Sequence, residues 1–156
     1  MKTFLSVDRR LLNPQAIENV ELKVAVPTKD TKNNPLFIQD MPWEIRIDNG
    51  YPNVIYDSRE QIFHCYYTLF IEDKDTEGTT LQERTQRNYR PRMDRVISLA
   101  YARSKDGIHW EKPSLGLVDW RGSKKNNLLF RYAHGTGVML DEQDKDAGRR
   151  FKMVTK

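Results

Sequence analysis

Few side chains in this sequence are equipped for chemistry, and their spacing decides which chemistry is open to them. The histidines His64, His109 and His134 fall outside any spacing used for a metal centre, and neither a metal nor a cofactor is expected. Cys65 is the single cysteine, so no internal disulfide can form, and its place in an apolar run predicts a buried, inert thiol. No Ser or Cys stands in a nucleophile elbow, and no Gly-rich loop is present to cradle a phosphate. Carboxylates and arginines remain. Asp48 follows Arg46 by two residues and so shares a face with it on an extended segment, where the guanidinium would keep the carboxylate ionised, as a nucleophile or base requires. Asp48 before Asn49-Gly50 is also a good turn opener, and that reading stands beside the first. Asp57 and Asp141 close short strand-like runs and read as turn caps, and Asp106 is fixed by the turn Lys105-Asp106-Gly107.

The arginines cluster over residues 72–95, where the hydrophobic pattern disappears. Asp73, Lys74, Asp75 and Glu77 lead into Arg84, Arg87, Arg90, Arg92 and Arg95, with only Leu81, Tyr89 and Met93 to pack. Such a cluster can bind phosphate, carboxylate or nucleic acid. The interspersed acids and the lone Tyr89 favour a solvated face, with one helical turn near 81–87. The net charge of +4 selects no partner unless it gathers on one face.

The elements that must position these groups are strands. Residues 19–26 alternate Val20, Leu22, Val24 and Val26 with polar residues until Pro27 stops the run. Residues 28–42 are a connection pinned by Leu36, Phe37 and Ile38, and 43–48 read as a short strand. Runs at 51–57, 61–71, 96–101 and 108–111, separated by turn chemistry, predict a four-strand meander. The second run is apolar on both faces, as a central strand covered on both sides would be, and it takes His64 into the core or an interface. Further strands are expected at 128–132, 138–141 and 151–155, with a turn at 144–148. A chain of 156 residues with 38% hydrophobic and 31% charged content has the length of one domain and should be soluble and globular. Its first ten residues lack a signal-peptide core and no stretch approaches a membrane span, so an unanchored, cytoplasmic chain is the default expectation.

Four antiparallel strands ending on Trp110 have the shape of a propeller blade. The fragment Tyr-Ala-Arg-Ser-Lys-Asp-Gly-Ile-His-Trp at 101–110 resembles the outer hairpin of a blade in the five-bladed β-propeller glycoside hydrolases, nearest to family 32 and more distantly family 43. Asn34-Pro35-Leu36 and Pro42-Trp43-Glu44 are similar to words in the arm that leads to the first blade of that group, and the likeness is strongest over 101–127. The resemblance implies an all-β fold, the N-terminal portion of a five-bladed propeller. Residues 1–42 would form an arm and strand, 43–113 the first blade with its charged loop at 72–95, and 114–156 the crossover and the start of a second blade. The remaining blades would come from a longer chain or from self-association.

Glycosidases of the usual kind use two carboxylates flanking the scissile bond. In family 32 the nucleophile lies in a Trp-Met-Asn-Asp-Pro-Asn word; here Pro52-Asn53 follow Tyr51, and the nearest carboxylate is Asp48. Where that family has Arg-Asp-Pro, this chain reads His134-Gly135-Thr136. The resemblance thus implies a carbohydrate site at the channel mouth, with Asp48 catalytic, Arg46, Tyr51, Asn53 and His134 contacting substrate, and the general acid beyond Lys156. An aromatic ring beside amide and carboxylate groups suits sugars, whose faces stack and whose hydroxyls need paired hydrogen bonds. A non-catalytic binding or assembly module is the alternative. Nucleic-acid binding through Arg84, Arg87, Arg90 and Arg92 ranks last.

Overall fold

The computed structural model of the protein describes residues 26–47, 50–86 and 94–156. The chain divides into two compact units, Met1–Thr31 and Lys32–Lys156, and every element below belongs to the second. The strand expected at 19–26 lies, apart from Val26, outside the described residues, as do Asp48, Arg87, Arg90 and Arg92.

Strands β1 (Asn53–Asp57), β2 (Ile62–Glu72), β3 (Val96–Ser104) and β4 (Leu128–Arg131) form an antiparallel sheet in the order β1-β2-β3-β4. Strands β5 (Gly137–Leu140) and β6 (Phe151–Val154) pair as a separate hairpin. Helix is limited, among the described residues, to the single turn α1 (Leu81–Thr85) and a three-residue 3-10 turn, Ala147–Arg149, so the fold is all-β. Helix α1 forms where the sequence places it, because Thr80 and Glu83 make a reciprocal capping box over its first turn.

The period of two along β2 sorts its side chains cleanly. Cys65, Tyr67, Leu69 and Ile71 go to one face, where they pack with Ala100, Ala102, Val118 and Leu128 under a cover of Phe37, Trp43, Trp110 and Trp120. Tyr66 points to the other face and packs with Leu99, Ala133, Val138 and Phe151, the last two from the β5–β6 hairpin. Both faces of the central strand are therefore covered, one by the crossing segments and one by the hairpin. Burial pushes the Cys65 thiol up to about 11, which makes it the inert group the sequence predicts.

The fourth strand is not the one expected. Residues 108–111 touch β3 through a single bridge, Arg103 to Glu111, and β4 occupies the edge beside β3. Local chemistry explains the difference. The Asp106 carboxylate accepts the backbone N–H groups of Ile108 and His109, both at 2.8 Å, and Trp110 folds its indole back to donate to the Gly107 carbonyl. Gly107 has the left-handed backbone that this turn requires (φ 74°). Meanwhile the Tyr101 N–H donates to the Asn127 carbonyl, so the open side of β3 continues into 127–131 instead. Residues 128–131, expected in a second blade, complete the first sheet.

Trp43, Glu44, Tyr67, Lys112 and Asn127 meet in one buried polar clasp on the tryptophan-covered face. Glu44 is fully buried. Its Oε2 accepts the N–H groups of Asp40 and Met41, its Oε1 accepts the Tyr67 hydroxyl at 2.7 Å, and Lys112 Nζ lies 2.8 Å from both oxygens. Asn127 donates to Tyr67 Oη at 2.8 Å and to the Tyr101 carbonyl, and accepts the Trp43 indole N–H at 2.7 Å. Lys112 also stands over the Phe37 ring. Thus Pro42-Trp43-Glu44, Trp110 to Lys112 and Asn126-Asn127 lash the arm and the crossing segment to β2.

Candidate functional site

Three of the four substrate contacts expected from sequence come together at the start of β1. Asn53, first residue of β1, uses its whole side-chain amide to hold the segment that enters β5. Its Oδ1 accepts the Val138 N–H at 2.9 Å and its Nδ2 donates to the Thr136 carbonyl at 3.0 Å and to the Tyr51 carbonyl at 3.2 Å. The amide thereby imitates a strand neighbour and brings residues from opposite ends of the sheet sequence to one place. The Tyr51 ring meets His134 edge to face, with centroids 5.4 Å apart. His134 is anchored through its backbone, which exchanges both hydrogen bonds with Lys156. Thr136 and Thr155 share a hydroxyl contact of 2.8 Å just behind it.

Among the described residues, left-handed backbone outside glycine occurs at Tyr51 in this site and at Gln61, Arg121 and Tyr132. Tyr51 and Tyr132 both hold left-handed conformations, at φ 41° and 63°, which are uncommon for bulky residues. Both keep exposed rings, Tyr51 at 44% and Tyr132 at 72% relative exposure. Strain of this sort persists where surrounding structure fixes it, and it gathers at ligand sites.

Arg46 lies elsewhere. It pairs with Phe70 on β2, is buried, and places its guanidinium 2.7 Å from Asp73 and over the Phe70 ring. Arg95 joins the same carboxylate at 3.2 Å. Arg46, expected from sequence as a substrate contact, is thus buried and bound to Asp73 rather than gathered with Tyr51, Asn53 and His134. Asp48 lies outside the described residues. Arg84 folds back on Thr79, donating to its hydroxyl at 3.2 Å and its carbonyl at 2.9 Å. Of the arginines over 72–95, those within the described residues thus serve local structure.

A second constellation lies between the β1–β2 turn and the start of β6. Asp57 caps its turn as expected, accepting the Arg59 N–H at 2.9 Å, but it is also gripped by Arg150, whose Nη2 stands 2.8 Å from both carboxylate oxygens. That guanidinium, ahead of the opposing effect of burial, holds the Asp57 carboxyl below its usual range. Opposite it on the same face, His64 Nδ1 is 2.8 Å from the Tyr101 hydroxyl and its ring packs edge-on to Phe151. Burial lowers the His64 pKa, so the ring is neutral in the folded protein near pH 7. Its Nε2 is buried without a hydrogen-bond partner. Sequence spacing gives no hint of Arg150, which stands ninety-three positions from Asp57.

No helix among the described residues is long and apolar enough to cross a membrane. No protein-family profile matches the chain, and no curated protein or solved structure shows significant similarity to it.

Proposed function

We propose that the protein is a glycoside hydrolase-like carbohydrate-binding chain of the β-propeller kind, with its sugar site at the start of β1. The observation that carries the reading is the convergence of Tyr51, Asn53 and His134, with the exposed, left-handed Tyr51 held through its carbonyl by the Asn53 amide. Exposed aromatic faces beside imidazole and amide groups offer both stacking and hydrogen bonds to a sugar ring. Asp48, five residues before Asn53, is the carboxylate assigned to nucleophile or base in this reading. The test is saturation-transfer NMR against a panel of oligosaccharides. Tyr51→Ala should abolish the signal while leaving the melting temperature within a few degrees, and Asp48→Asn should remove any hydrolysis under the same condition. Undiminished binding by Tyr51→Ala refutes the site.

A second reading, an assembly module without catalysis, is favoured by exposed apolar side chains on β1 (Val54, Tyr56) and on the outer face of the hairpin (Met139, Val154). Sedimentation distinguishes the two, because that reading requires a stable oligomer that Val54→Lys with Val154→Lys dissociates, with no sugar bound in either state.

A further inference from the structure

We propose that His64, Asp57 and Glu60 form a binding site for a divalent transition-metal ion of the zinc class, an activity independent of the carbohydrate reading. One donor atom from each of the three residues lies within 4.8 Å of the other two. Glu60 is exposed on the β1–β2 turn, where its side chain has room to change rotamer.

Acidic groups near a turn are common, and the imidazole is what distinguishes this cluster. His64 is 7% exposed and its Nε2 is buried with no hydrogen-bond partner, a condition that native interiors rarely tolerate without a bound group. Its other nitrogen faces the Tyr101 hydroxyl at 2.8 Å. With Nδ1–H donating to that oxygen, the lone pair is left on Nε2, the arrangement in which an outer partner fixes the tautomer and ring plane of a metal-ligating histidine.

Asp57 supplies the second donor through Oδ2. Its Oδ1 accepts the Arg59 and Glu60 N–H groups and Arg150, whereas Oδ2 accepts from Arg150 and retains a lone pair. Arg150 stays as an outer partner that orients this carboxylate. Two carboxylates against one guanidinium leave the site net negative before an ion arrives. One imidazole with two carboxylates selects a borderline ion such as Zn²⁺ or Co²⁺ over Ca²⁺ or Mg²⁺, which prefer all-oxygen shells. Three protein ligands leave a coordination position open to solvent.

The test uses the full chain freed of metal by chelation, titrated with Zn²⁺ by calorimetry and with Co²⁺ by visible absorption. One ion per chain is expected, with the intense d–d bands of low-coordinate cobalt and a raised melting temperature. Glu60→Gln, at an exposed position, should leave the metal-free melting temperature unchanged and weaken Zn²⁺ at least tenfold. His64→Gln should abolish binding, and His109→Ala should leave it intact. If His64→Gln does not fold, Glu60→Gln decides alone. A loss smaller than tenfold in Glu60→Gln, binding that depends on His109, or no stoichiometric binding by the parent chain overturns the proposal and leaves a solvent molecule as the partner of Nε2.

Discussion

The two faces of the central strand treat buried polar groups in opposite ways. On the tryptophan-covered face, Glu44, Tyr67, Asn127 and Lys112 are matched donor to acceptor, and each carboxylate oxygen and hydroxyl has its partner. On the hairpin-covered face, His64 Nε2 and Thr68 Oγ1 are buried without one. A closed network in low dielectric rigidifies what it joins, and nothing in it is left over for a ligand. An incomplete one costs stability for as long as it stays incomplete, which points to a role beyond holding the fold. The difference separates the part of this molecule that is architecture from the part that has chemistry to offer.

Breaking the closed network should have the largest effect. Glu44→Ala strands the buried Lys112 ammonium, the Tyr67 hydroxyl and two backbone donors, and should cost about 3–5 kcal/mol in urea denaturation. A loss below 1 kcal/mol would mean that water reaches the clasp. Tyr67→Phe keeps the ring and removes one donor and one acceptor, for about 1–2 kcal/mol by the same measurement. Burial, with the neighbouring Glu44 carboxylate, holds the Tyr67 hydroxyl protonated far above the usual phenol range, so alkaline difference spectra should find this tyrosine silent until unfolding.

The open network predicts a pH response. The folded protein binds a proton at His64 less readily than the unfolded chain, whose imidazole has its ordinary value near 6.5. As pH falls through that value the unfolded state takes up a proton that the native state refuses, so stability is present above it and declines below. Metal-free protein should lose melting temperature between pH 7 and pH 5.5, and His64→Gln should flatten the decline. An identical slope in the variant would place the titration on another group. The smallest effect is expected from His64→Leu. Its deletion gives up the Tyr101 hydrogen bond but also removes an unpaired buried nitrogen, so stability should stay within about 1 kcal/mol. A loss approaching that of Glu44→Ala would show that the imidazole is as well satisfied as the clasp, and the contrast between the two faces would disappear.

Much of the architecture is legible in sequence because it is local. The split of β2 into two apolar faces follows from its alternation, the strand end at Asp57 from the turn residues behind it, and the burial of Cys65 from its neighbours, whereas β3 runs three residues past the expected end at Tyr101. What escapes is non-local pairing. Residues 108–111 have the composition of a strand, yet Asp106 takes the N–H groups of Ile108 and His109, and Asn127 accepts the N–H that Tyr101 offers on that side. The candidate site divides in the same way. Tyr51 and Asn53 are two residues apart, but only the fold brings His134 to them, and it binds Arg46 to Asp73, twenty-seven positions on, a pairing that no local pattern reveals.

Cys65 sits at the middle of β2 between neighbours on both sides, with its thiol held protonated. A thiol-specific reagent reaches it only after the sheet opens, and only the unfolded chain offers an ordinary cysteine to react. The protein therefore carries a built-in clock. The rate at which Cys65 is labelled under native conditions reads out how often the whole sheet comes apart, residue-specifically and without any engineered probe.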